Sequence, residues 1–223
     1  MRFVEVYAGA YTSGKSETAL NRAVSLAKDT KITLVDLDTV EPAYTLRPIA
    51  KKLEAKGVNV ITQLEYFGLG EAGSYITPQQ MNCLSSEGNI IIDVGYGASG
   101  LDILDILTNI ENEKNLQVFL VVNTAKFETS TVENILDYIK FSQGANDKPW
   151  KKFTGFISNT HLGDETTPDD VIRGYNVLKK VSEATNIPIR AIGVSKILRN
   201  SFENQYDNID VWFYDRMMPE ALW

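Results

Sequence analysis

The sequence predicts an α/β fold: a doubly wound, mostly parallel sheet of about seven strands with helices on both faces. Three observations carry that prediction. Short β-branched and aromatic runs alternate along the chain with segments of helical spacing. Two of those runs, Ile90-Ile91-Ile92 and Val118-Phe119-Leu120-Val121-Val122, are apolar at consecutive positions, so both faces of their strands must be covered. The first run also leads through a glycine-containing loop straight into a helical segment, the strand–loop–helix order of a phosphate-binding unit.

Strands are expected over 3–7, 31–35, 58–61, 89–93, 116–122, 153–158 and 187–194. Helices between them rest on apolar residues three and four apart: Ala19, Ala23, Leu26 and Ala27; Leu46, Ile49 and Leu53; Leu101, Leu104 and Ile106. Val132, Ile135, Leu136 and Ile139 make another, and Val171, Tyr175, Leu178 and Val181 the last. That last helix opens with Thr167 as N-cap, Pro168 as its first residue, and Asp169 and Asp170 in the first turn. The stretches 68–74 and 143–148 read as surface loops. Val211-Trp212-Phe213-Tyr214 and residues 217–223 form an apolar tail, expected either to pack on its own domain or to meet a second copy or a client. No repeat, low-complexity tract or linker marks a boundary, so residues 1–223 are read as one nucleotide-binding domain.

Composition narrows the function classes. With 43% hydrophobic and 23% charged residues over 223 positions, the chain can bury a sizeable core, which excludes disorder as the dominant state. No apolar run approaches the 18 or so residues that cross a bilayer, and the acidic start Met1-Arg2-Phe3-Val4-Glu5-Val6 is no secretory leader, so a soluble, cytoplasmic protein is expected. One cysteine, Cys83, and one histidine, His161, cannot furnish a zinc tetrad, whereas an oxygen-ligated magnesium stays open. A formal charge of −7 opposes nucleic-acid backbones, and the C-terminal tail lacks the basic amphipathic face that a membrane surface would need.

Gly9-Ala10-Tyr11-Thr12-Ser13-Gly14-Lys15-Ser16 matches G-x-x-x-x-G-K-[ST] letter for letter. The spacing follows from chemistry: consecutive backbone N–H groups must wrap a phosphate, and the glycines take conformations that a Cβ would obstruct. A chance match arises in roughly one chain of this length in a hundred, and fewer still carry both flanking elements. Residues Gly9 through Ser16, with Glu17 at the helix start, are therefore the candidate nucleotide-binding set. Lys15 is expected to reach the β- and γ-phosphates and to serve catalysis, and the Ser16 hydroxyl to ligate magnesium.

Strand two ends in Asp36-Leu37-Asp38, and strand four in Asp93-Val94-Gly95-Tyr96-Gly97. Strand ends in a parallel sheet share the ligand edge, so these carboxylates should converge on the phosphate loop. Asp93 suits the magnesium carboxylate, and the glycines after it leave room for an amide near the γ-phosphate. Asp38 is assigned to positioning the attacking water and Asp36 to the magnesium shell, on the reading that strand alternation turns the two to opposite sides.

With these motifs in place, nearly the whole chain resembles the MinD/ParA-like P-loop ATPases, the group of CobQ/CobB/MinD/ParA nucleotide-binding domains. The shared order is the loop at 9–16, Asp36 and Asp38, Asp93 to Gly97, and a late strand ending in Asn, Gly155-Phe156-Ile157-Ser158-Asn159. The resemblance implies that Asn159 contacts the adenine edge and that Gly193, Val194 and Ser195 flank the ring. The guanine-reading N-K-x-D is missing, because Asn123-Thr124-Ala125-Lys126 has the wrong order, so ATP is expected over GTP. Ala10 stands where many members carry a second lysine, so a lysine-linked sandwich dimer is not implied, while a homodimer of another kind stays open. Pro42 and Tyr44 after the second strand make the chain similar to a subgroup that binds nucleotide but has no assigned client. The function implied is a magnesium-dependent ATPase of low turnover whose nucleotide state alters loops 38–44 and 93–100 and its grip on a partner protein. The alternatives are an ATP-dependent transferase or ligase similar to dethiobiotin synthetase, with an acid pocket at 68–74, and a nucleotide-sensing module without catalysis.

Overall fold

The computed structural model describes residues 2–39, 46–63, 75–144 and 148–218, and among them nine strands form one sheet. These are β1 (Val4–Gly9), β2 (Ile32–Leu37), β3 (Val58–Ile61), β4 (Asn89–Val94), β5 (Leu116–Val122), β6 (Gly155–Ser158), β7 (Ile189–Ser195), β8 (Gln205–Tyr206) and β9 (Ile209–Tyr214). Their spatial order is β3-β2-β4-β1-β5-β6-β7-β9-β8, and only the β8–β9 pair is antiparallel. All seven expected strands are present. The addition is β9, built from the apolar tail and parallel to β7, with β8 folded back on it through Asp207 and Asn208, both left-handed at φ 52° and 63°.

Consecutive apolar residues feed two cores. Val4, Val6, Ile90, Ile92, Val118 and Leu120 point to one face, and Tyr7, Ile91, Phe119 and Val121 to the other. The first face is covered by α4 (Gly97–Asp102), α5 (Val132–Gln143) and α6 (Pro168–Thr185), the second by α1 (Lys15–Leu26) and α2 (Ala50–Glu54). The short α3 (Pro78–Met81) follows β3 in the chain. Each fully buried branched aliphatic contributes about 1.5–3 kcal/mol, so the sheet's rigidity comes from this double coverage. The start of α6 is as expected: Thr167 accepts from the Asp170 N–H and Asp170 bonds back to Thr167. The helix expected around Leu46–Leu53 starts instead as a 3-10 turn at Arg47–Ile49, where Pro48 has no N–H to give, and the one around 101–106 tightens to 3-10 after Asp102.

Polar contacts fix α1 over the sheet. Arg22 reaches both Glu5 carboxylate oxygens at 3.1 Å and lies over the Trp212 ring at 4.6 Å, while Tyr7 donates to Glu5 at 2.8 Å. Asn21 holds the Asp215 main chain in both directions, at 2.8 and 2.9 Å. Residues 215–218 thereby run along α1 as a strap, so this part of the tail packs on its own domain. Pro42 and Tyr44, the stretch 68–74, residues 145–147 and residues 219–223 lie outside the described residues. Among the described residues, no helix is long and apolar enough to cross a membrane.

Candidate functional site

Between the end of β1 and the start of α1 the chain turns through Thr12 at φ 54° and Gly14 at φ 82°, with the Ser13 N–H bonded to the Ala10 carbonyl at 3.1 Å. Two glycines are required here. A Cβ on Gly9 would stand 2.3 Å from the Ser13 hydroxyl and 2.7 Å from the Val121 carbonyl, and one on Gly14 would stand 2.3 Å from the Asn159 amide nitrogen. The opening N–H groups of α1 have no helical partner, so loop and helix present backbone donors to an anion. Ala10 and Ser13 are buried against the strand end; Tyr11 is exposed, and its ring meets Tyr96 at 5.6 Å between centroids.

The carboxylates converge beside this loop, but not in the expected arrangement. Residues two apart in a strand share a face, and Asp36 and Asp38 lie together: the Asp38 N–H donates to Asp36 at 3.1 Å. Asp38 is paired with the Lys15 ammonium at 2.8 Å. The second Asp36 oxygen accepts from Thr62 at 3.0 Å, and its carbonyl accepts from Gln80 at 2.5 Å. Asp36 therefore holds the strand end together, which corrects the opposite-sides reading. Asp93, its register neighbour on β4, is the orphan: it is 0% exposed and neither oxygen meets a hydrogen-bond donor at bonding geometry. Burial pushes its carboxyl up to about 7, against the opposing pull of Lys15 and the Ser16 hydroxyl. Burial also acts to lower the Lys15 pKa, but Asp93, Asp38 and Asp36 outweigh it and raise it, so Lys15 stays charged. Three buried carboxylates face one ammonium, a local surplus of negative charge. An unpartnered carboxylate beside Ser16 fits an oxygen-seeking divalent cation whose other ligands are phosphate and water.

An open cleft runs from Gly14 along the ends of β6 and β7. Asn159, His161, Gly193 and Ser195 line it, and Arg216 pairs with Asp164 at 3.1 Å across two of its walls. Val194 departs from expectation: strand alternation sends its side chain into the core, leaving Gly193 and Ser195 on the cleft side. Ser195 also accepts from the Ile197 N–H at 3.4 Å. Glu17 lines the cleft while its carboxylate accepts from the Met217 and Met218 N–H groups at 2.5 and 3.1 Å; burial raises its pKa despite those bonds.

Sequence reasoning missed three contributors. His161 is held at its main chain by Asn123, which donates to its carbonyl at 3.1 Å and accepts from its N–H at 3.2 Å. Burial, with Lys126 nearby, lowers the imidazole pKa to about 4, so it is neutral at physiological pH. Tyr138 on α5 accepts from the Gly97 N–H at 3.1 Å. A signal existed for Asn123, since Asn123 and Asn159 each directly follow a strand on the ligand edge; Tyr138 had none.

No family model matches the chain, and no curated protein matches it by sequence. Solved structures do match. The signal recognition particle receptor FtsY from Elizabethkingia anophelis is 19% identical, with a TM-score of 0.56, over 86% of this chain and 57% of that one. Cell division protein FtsY from Thermotoga maritima is 16% identical, with a TM-score of 0.56, over 87% and 62%. FlhF complexed with GTP and magnesium is 19% identical, with a TM-score of 0.50, over 84% and 63%. The chain thus spans about three fifths of the length of these structures. The fold is that of the P-loop NTPases.

Proposed function

We propose that the chain is a magnesium-dependent ATP-binding protein and slow ATPase of the MinD/ParA-like type, working as one nucleotide-binding domain whose nucleotide state switches its grip on a partner protein. The observation that carries this reading is the left-handed loop ending in Lys15 beside the buried, unpartnered Asp93. The N–H groups at the end of the loop and the start of α1, with the Lys15 ammonium, bind the phosphates, and Ser16 and Asp93 would hold a magnesium that would neutralise charge on the β- and γ-phosphates. The cleft at the ends of β6 and β7 takes the base and ribose. ATP rather than GTP is supported by the missing N-K-x-D order after β5.

Switching is supported by two contacts. Asp38 holds Lys15, and Tyr138 holds the Gly97 N–H, both groups that a γ-phosphate would engage. Once Lys15 turns to phosphate, Asp38 is free to orient the attacking water, and the segments after β2 and β4 shift together. The likeness to FlhF, whose structure holds GTP and magnesium, agrees with a nucleotide at this edge. Phosphate release from ATP by the purified protein tests the proposal. Turnover should require magnesium, Lys15→Ala should lose ATP binding, and Asp38→Ala should keep binding but lose hydrolysis. Hydrolysis surviving in Lys15→Ala would overturn it.

A further inference from the structure

The Asn159 amide, which lines the base cleft, is turned toward the phosphate loop. Its nitrogen donates to the Ser13 carbonyl at 2.8 Å, and its oxygen lies 2.5 Å from where a Cβ on Gly193 would stand. The His161 imidazole packs 3.1 Å from the Cβ position of Gly14 and also hydrogen-bonds the Ser13 backbone. The Ser13 carbonyl and the Gly14 N–H belong to one trans peptide, so they point in opposite directions. Drawing the carbonyl outward toward Asn159 and His161 therefore aims the Gly14 N–H into the loop, where an anion would sit. One peptide unit earlier stands Thr12, whose left-handed backbone is unfavourable for a branched residue and must be held by its surroundings. Asn123, 0% exposed at the end of β5, fixes the main chain that carries His161.

We propose that Asn159 and His161 are positioning residues that pre-form the phosphate loop through the Ser13 carbonyl, rather than readers of the base. The inference rests on the reading above that this loop binds the phosphates of a nucleotide. A base reader and a loop clamp differ in one respect: a clamp acts on a ligand that has no base.

Calorimetric titration of the full chain with magnesium ATP, magnesium GTP and magnesium tripolyphosphate separates the two roles. Asn159→Ala and His161→Ala should each weaken all three ligands by a common factor of about five to ten, the loss expected for one hydrogen bond that organises a site. The ATP-to-GTP ratio should not move, and His161→Gln, which keeps a donor, should recover most of the loss. ATP binding that falls while tripolyphosphate binding holds, a changed ATP-to-GTP ratio, or unchanged affinity for all three would overturn the inference. Should Asn159→Ala fail to fold, as read by its melting curve, the His161→Ala and His161→Gln pair decides alone by the same criteria. A parent protein that binds none of the three ligands would overturn this inference and the proposed function together. A parent that binds all three, with variants that lose only the nucleotides, would overturn this inference alone.

Discussion

Replacing Asp93 by Asn should make the nucleotide-free protein more stable while removing its hold on magnesium. The carboxyl is completely buried, meets no hydrogen-bond donor at bonding geometry, and is pushed up to about 7 from the ordinary 3.8 by that burial, against the pull of Lys15 and the Ser16 hydroxyl. The unfolded chain gives up this proton near the ordinary value and the folded chain near 7, so the folded state binds more protons in between. Stability therefore falls as pH rises from about 4 to about 7 and stays low above that, by about 4 kcal/mol at most. An Asn at this position carries no charge but buries an amide without partners, at a cost of about 1–2 kcal/mol. The net gain at pH 8 is about 2 kcal/mol, or about 4–8 °C in melting temperature for a chain of this size. Thermal melts followed by circular dichroism in EDTA, from pH 5 to pH 8, should show the variant's advantage growing with pH. An Asp93→Asn protein that melts at or below the parent temperature at pH 8, or a gap that does not change with pH, would refute the reasoning.

Other perturbations follow from the same geometry. His161 is held neutral to about pH 4, so the unfolded chain takes up a proton first as pH falls; stability should drop by about 2–3 kcal/mol between pH 6.5 and 4 in the parent, relative to His161→Gln, in urea titrations. Asn21→Ala removes both bonds to the Asp215 main chain and should cost about 1–3 kcal/mol, with faster amide exchange across 215–218; unchanged exchange there would show that the strap is held by other contacts. Tyr138→Phe frees the Gly97 N–H for a γ-phosphate. It should raise affinity for a nonhydrolysable triphosphate about fivefold while leaving ADP unchanged, and an equal change in both would contradict competition for that amide.

The parts of the site that the sequence spelled out are those whose chemistry is local. The loop at 9–16, its flanking strand and helix, and the placement of Asp93 at a strand end all follow from neighbours in the chain. Consecutive apolar residues in β4 and β5 were legible as doubly covered strands for the same reason. What was not legible depends on long-range pairing. β9 joins the sheet only because β7 offers it a parallel edge, and the hairpin that returns β8 turns on two left-handed residues at Asp207 and Asn208 with no glycine to mark them. The carboxylate of Asp36 is claimed by Thr62 and the carbonyl by Gln80, 26 and 44 residues further on, so its neighbours could not reveal that it was already engaged. Val194 does not flank the cleft with Gly193 and Ser195, because the strand that runs through all three sends alternate side chains to opposite faces.

The most direct measurement is calorimetric binding of ATP to the purified chain and to Lys15→Ala, each with magnesium and with EDTA. The parent should bind one ATP per chain with magnesium and markedly less tightly without it, because the three carboxylates that face Lys15 then also face the triphosphate. Lys15→Ala should show no saturable binding. Absence of ATP binding by the parent, or equal affinity in parent and variant, would contradict the account.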